Sequence, residues 1–147
     1  MRALLILLTL GALLLNPAST QAQCKNFAKK VCRLELTPYI HDGNFNAAIL
    51  TEGEDAELFK TFFAGQEYRI AVCSSETLSK VEFNVMDVDR NVLYSNVSRN
   101  FAPTWDFKVS ATQQLIITVK VHENPPSSNP EVIASGCVAI MFGLKTD

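Results

Sequence analysis

Along the second half of the chain, apolar and polar side chains change places residue by residue. Val81, Phe83 and Val85 alternate with Glu82 and Asn84; Trp105, Phe107 and Val109 alternate with Asp106, Lys108 and Ser110; Leu115, Ile117, Val119 and Val121 alternate in part with Thr118, Lys120 and His122. A period of two puts successive side chains on opposite faces of an extended chain, so each segment predicts a strand with one face inward. Tyr68–Cys73 and Cys137–Phe142 are apolar almost throughout and suit central strands. Ala47–Thr51, Ala56–Phe63 and Asn91–Ser95 bring the predicted set to eight. Gly65, the Asp89-Arg90-Asn91 turn and Pro103 punctuate them, and Pro38 with His41-Asp42-Gly43-Asn44 predicts a loop. The proline-rich stretch Glu123–Pro130 cannot supply a ladder of N–H donors and predicts an exposed loop before the last strand. Short strands at regular spacing predict a mainly β fold, an antiparallel β-sandwich of about eight strands.

Nearer the N-terminus the period is longer. Cys24, Phe27, Ala28 and Val31 recur at three- and four-residue steps, with Lys25, Lys29, Lys30 and Arg33 on the other side, predicting a short amphipathic helix from Cys24 to Arg33. Before it, Arg2 and the apolar run Ala3–Leu15 are followed by Asn16-Pro17 and small residues, the order of a secretory signal. Thr20 and Ala22 meet the small-residue requirement for cleavage, giving residues 1–22 as signal peptide and 23–147 as a single domain. The apolar run falls short of the roughly 20 residues of a spanning helix. Gln23 stands where lipoprotein processing requires a small residue before the cysteine, which argues against a lipid anchor on Cys24.

Composition narrows the partner class. Without residues 1–22 the 13 Lys and Arg fall to 12 while the 15 Asp and Glu remain, so the formal charge moves from −2 to −3. Such a surface lacks the basic footprint of a nucleic-acid binder. In an exported chain the four thiols, Cys24, Cys32, Cys73 and Cys137, predict two disulfides. Cys24 and Cys32 would stand roughly 12 Å apart along an intact helix, beyond the ~7 Å limit between bridged Cα atoms. Each is therefore expected to tie the helix to the sandwich through Cys73 or Cys137, with Cys32–Cys73 preferred because Cys24 lies nearer the terminus.

No assembled chemistry is legible. His41 beside Asp42 could form half of a triad, but no G-x-S-x-G elbow accompanies it, and a solvated loop histidine beside a turn-forming aspartate explains the pair. Asp87-Val88-Asp89-Arg90-Asn91 opens like a calcium loop, yet Val92 and Ser98 occupy the positions of the required Gly and Glu, so a hairpin turn is the better reading. Glu52, Glu54, Asp55 and Glu57 crowd one short stretch and read as surface charge. Catalytic, cofactor and metal residues are accordingly expected to be none. Trp105 shares its phase with apolar neighbours and reads first as core, while Phe101, before Pro103, is the better candidate for an exposed aromatic. With His41 these are the candidate partner-contact residues. Asn96-Val97-Ser98 matches the N-glycosylation sequon.

The run from Gly53-Glu54 through Leu58-Phe59-Lys60-Thr61-Phe62-Phe63-Ala64-Gly65 to Tyr68-Arg69-Ile70-Ala71-Val72, followed by the Val81–Tyr94 hairpin, resembles bacterial pre-peptidase C-terminal and GOLD-like β-sandwich modules. That resemblance implies a jelly-roll or GOLD-like arrangement and carries no catalytic residue. From Cys24 through Trp105-Asp106-Phe107 and Gln113-Gln114-Leu115 to Gly136-Cys137-Val138 the chain is similar to a group of short, secreted bacterial proteins of uncharacterised function. The expectation is a non-enzymatic exported domain, secreted, periplasmic or at the cell surface, that binds a protein or glycan and needs no cofactor. The alternative is a secreted hydrolase inhibitor or small enzyme using the loops near His41 and Pro125.

Overall fold

The computed structural model describes residues 18–125 and 132–146. The expected signal sequence up to residue 17, and residues 126–130 of the proline-rich loop, lie outside the described residues. Two antiparallel sheets face one another. In the first, β1 (Ile40–His41) and β2 (Asn46–Thr51) both pair with one side of β9 (Ser135–Leu144), β4 (Glu67–Ser74) pairs with its other side, and β7 (Thr104–Lys108) closes the far edge. In the second, the order is β3 (Asp55–Phe62), β8 (Gln113–Val121), β5 (Val81–Met86) and β6 (Val92–Ser95). All eight expected strands are present. The ninth, β1, falls in the expected loop: two residues show no period, yet Ile40 and His41 pair in register with Leu144 and Gly143.

Alternation assigns the faces. Tyr68, Ile70 and Val72 of β4 and Val138, Ile140 and Phe142 of β9 point between the sheets, where they meet Phe83, Val85, Leu115, Ile117, Val119 and Val121. The opposite phase of β4 and β9 carries Ala71, Ala139 and Met141, and these form a second core with Ala28, Cys32 and Leu36. Both strands read as continuously apolar because they are covered on both faces.

That outer cover is the N-terminal segment. α1 runs from Ala18 to Lys30, and a 3₁₀ turn follows over Cys32–Leu36. The expected Cys24–Arg33 helix is thus displaced toward the N-terminus and ends early. The tighter turn swings Cys32 and Leu36 down onto the sheet, where both are buried. Close approach needs small residues beneath: a Cβ on Gly143 would lie 2.7 Å from Tyr39 Cβ and 3.4 Å from Leu36 Cδ2. The disulfides are Cys24–Cys137 and Cys32–Cys73, the pairing expected, with Cα atoms 5.2 and 5.6 Å apart. Closing loops of 113 and 41 residues, they contribute about 5 and about 4 kcal/mol in the chain-entropy model, not additively because the loops overlap. Both Cys24 and Cys32 are fully buried. The Cys24 sulfur, bonded to Cys137, has no thiol left to carry a lipid.

Candidate functional site

One end of the sandwich gathers the β4–β5 connection, the β6–β7 connection, the end of β8 and the 3₁₀ turn. The β6–β7 connection is built around Asn96, 1% exposed. Its Oδ1 accepts from the Phe83 N–H at 2.9 Å, and its Nδ2 donates to the Val81 and Ala102 carbonyls at 3.1 and 3.3 Å. Its own carbonyl accepts from the Arg99 and Phe101 N–H groups. A side chain that spends its donors and acceptor in this way leaves no amide open to a glycan, so the sequon has a structural task. Among the described residues no buried side-chain polar atom lacks a partner.

Beyond Asn96 the chain turns through two consecutive left-handed residues, Asn100 at φ 53° and Phe101 at φ 55°. Asparagine tolerates this region, whereas phenylalanine pays roughly 1–3 kcal/mol and is held there only by surrounding structure. The strain aims the half-buried Phe101 ring at His122, edge-on with centroids 5.3 Å apart, and the Lys80 ammonium lies 5.2 Å from the ring centroid. His122 Nε2 is 3.0 Å from Glu82 Oε2. Hydrogen bonds from Asn84 and then from His122 hold the Glu82 carboxyl below the usual carboxylate range.

Beside Phe101 opens a groove of about 340 Å³, edged by Val31 and Glu35 of the 3₁₀ region, Cys73, Lys80, Phe101 and Pro103. Val31, at the end of the groove nearest α1, is solvent-exposed. Apolar side chains interleaved with one carboxylate, one ammonium and the hydroxyls of Ser74 and Ser79 are the composition of a recognition site. Lys80, Glu35 and Val31 carried no signal in the sequence, because only the folded chain brings positions 31, 35, 80 and 101 together. Phe101 was legible from its place before Pro103, although it is half-buried and not fully exposed.

The other expected contact residues lie elsewhere. Trp105 is stacked between Tyr94, at 4.6 Å and 15°, and Phe107, at 4.4 Å and 11°, so its faces are occupied by its own chain. This ladder closes the side of the sandwich between edge strands β6 and β7. His41 sits at the Gly143 end of β9, away from the Ser135 end. Its side chain is only 7% exposed, against the solvated state expected from a loop. The reason is packing: the ring lies 4.6 Å from that of Phe45, and Nε2 meets the Asn44 carbonyl at 2.8 Å. Asp42, 3.7 Å from His41, is 2.7 Å from the Lys60 ammonium, which also lies 4.5 Å from the Phe142 ring centroid. Burial works to raise the Asp42 carboxyl, and the Lys60 ammonium and the Asn44 N–H together outweigh it, leaving it below the usual range. Lys60 is an inward-pointing charge on edge strand β3, a feature that discourages edge-to-edge pairing.

Among the described residues no hydroxyl or thiol is hydrogen-bonded to His41: its bonding partner is a main-chain carbonyl, and all four cysteines are in disulfides. Nor do His41 and Pro125 share a site, since Asn124 is held by Glu52 Oε2 beside the Ser135 end of β9. Among the described residues no three His, Cys, Asp or Glu side chains converge as metal ligands, and Asp87 spends its carboxylate on the Asn91 backbone and side chain in the β5–β6 turn. Among the described residues no helix is long and apolar enough to cross a membrane.

Neither a protein-family model nor a curated protein matches the chain. The resemblance to pre-peptidase C-terminal and GOLD-like modules is therefore not shown. Among solved structures the chain is similar to a periplasmic inhibitor of g-type lysozyme from Aeromonas hydrophila, at 12% identity over 74% of this chain and 89% of that one, with a TM-score of 0.49. A likeness of that degree carries no argument about function.

Proposed function

We propose that this protein is an exported, non-enzymatic binding domain that grips a protein partner in the groove between the stapled 3₁₀ turn and the Phe101 loop. The observation that carries the reading is the left-handed Phe101, a strained aromatic held over an open groove by a fully bonded, buried Asn96. Strain of this kind collects at sites where geometry matters more than stability. A protein partner suits the groove better than a glycan. It sets Glu35 and Lys80 among apolar side chains and two serines, and Trp105, the residue best suited to stack on a sugar ring, is closed on both faces. Export follows from the signal sequence with cleavage near Ala22 and fits two disulfides, which persist in oxidising compartments.

A photo-crosslinking residue placed at Ser79, on the groove rim, should give one discrete protein adduct in the native secretion compartment. Phe101→Asp should abolish it, and the same probe at Thr118 on the opposite sheet should give none. Equal labelling from Ser79 and Thr118, or a substrate turned over by the purified protein and lost on His41→Ala, contradicts the reading.

A further inference from the structure

We propose that the mature chain carries a cyclised N-terminal glutamine at Gln23. This rests on cleavage after Ala22, as read from the small residues Thr20 and Ala22. α1 runs across that point, so cleavage would leave Gln23 as the first residue of what remains of the helix, one position before Cys24, whose sulfur is fixed to Cys137. Gln23 itself is exposed. The new chain end is thus pinned by its neighbour while its own side chain is free to fold back without disturbing any packing.

The step needs no oxidant and no cofactor. The unprotonated α-amino nitrogen of Gln23 attacks its own side-chain amide carbon, an N–C bond forms, the bond to the amide nitrogen breaks, and that nitrogen leaves as ammonia. The product is a five-membered lactam. Holding both groups in one residue gives the high effective concentration of an intramolecular reaction. An α-amino group titrates near 8 (about 7.7–8.0), so part of it is unprotonated at neutral pH. Electrostatics favours the product as well. An ammonium at this end would face the positive pole of the helix, in a segment that carries Lys25, Lys29 and Lys30 and no acidic residue in its first turn. The lactam removes that charge. It also removes the free amine from which an aminopeptidase would start, and only one residue separates that end from the Cys24 staple.

The full precursor, secreted through its own leader and purified, tests this by reduced intact mass and N-terminal peptide mass, with Gln23→Asn as control, since its shorter side chain cannot close a five-membered lactam and does not supply the small residue of a lipidation signal. The expected product begins at Gln23, is lighter than the open form by one ammonia, and resists aminopeptidase, which trims the Gln23→Asn protein. A chain that begins at Gln23 and keeps its amide after prolonged incubation at neutral pH overturns the modification and leaves the cleavage reading intact. A chain beginning at another residue overturns the cleavage reading and the proposal together.

Discussion

The outer faces of the two sheets have met opposite fates. On the β9–β4 sheet the outward positions under the N-terminal segment include Ala71, Cys73, Ala139, Met141 and Gly143, small or flexible, and the segment is stapled to them at both Cys24 and Cys32, while Arg69 in the same phase bonds the Glu35 and Thr37 carbonyls. On the β3–β8–β5 sheet the outward positions include Glu57, Phe59, Thr61, Gln114, Thr118, Glu82 and Asn84, and among the described residues no helix packs over them. Ile116 is buried there among neighbours, but Phe59 is 52% exposed and Val92 60%. A small, apolar outward phase marks a face that another element approaches closely; a long, mixed phase marks one that faces water.

Mutations should separate the faces cleanly. The largest effect is expected from the staples: Cys24→Ala with Cys137→Ala opens the longer loop while Cys32–Cys73 still closes part of it, and should cost about 4 kcal/mol in urea unfolding. Met141→Ala, cutting a cavity under the helix, should cost about 3 kcal/mol, and Gly143→Val, which drives a side chain into Tyr39, about 2–3 kcal/mol. If either is silent, the helix does not pack as tightly as the geometry requires. Asn96→Ala, which orphans the Phe83 N–H and the Val81 and Ala102 carbonyls, should cost about 2 kcal/mol and release Phe101 from its left-handed turn, seen as a shifted Phe101 ring resonance.

Charge effects come next. Asp42, Glu82 and Asp106 all titrate below their ordinary values in the folded chain, Asp106 chiefly through its bonds from Arg69. A depressed carboxylate stabilises the fold above the unfolded pKa of about 4, and that stability is lost as pH falls through the folded value. The urea midpoint should therefore drop between about pH 5 and pH 3, and less steeply in Asp42→Asn. At the alkaline end, burial and then the hydrogen bond to Glu67 push Tyr39 up to about 12. Its contribution is intact below about pH 10 and is lost as pH rises toward 12, so an absorbance titration should show Tyr39 ionising late and Tyr39→Phe without that phase. The smallest effect belongs to the open face: Phe59→Ser should shift stability by no more than about 0.5 kcal/mol.

Much of this was legible because β5, β7 and β8 alternate with a period of two while β4 and β9 are continuous apolar runs, and each of the eight longer strands has at least four residues in which to show itself. β1 has two residues and could be found only through Leu144 and Gly143, its partners about a hundred positions away. The disulfide pairing was readable because one geometric exclusion, Cys24 against Cys32, left two solutions. The helix boundaries were not, since the 3₁₀ turn answers to the sheet beneath it and not to the segment's own apolar spacing. At the site, Phe101 could be picked out from its proline neighbourhood. Asn96 showed only a match to the N-glycosylation sequon because a sequon is a local pattern, while the burial that gives the residue its task is a property of the fold. His41 was misplaced as solvated for the same reason: Phe45 and Lys60 close around Asp42 and His41 only in three dimensions.

The central claim is that the stapled N-terminal segment is at once the cover of one sheet and a wall of the Phe101 groove. Native-state hydrogen exchange on Cys32→Ala with Cys73→Ala, compared with the parent protein, tests it most directly. The 3₁₀ turn and the β6–β7 connection should lose protection together, while β3, β8 and β5 keep theirs. Loss of protection spread evenly over both sheets, or a β6–β7 connection unchanged when the turn is released, would contradict it.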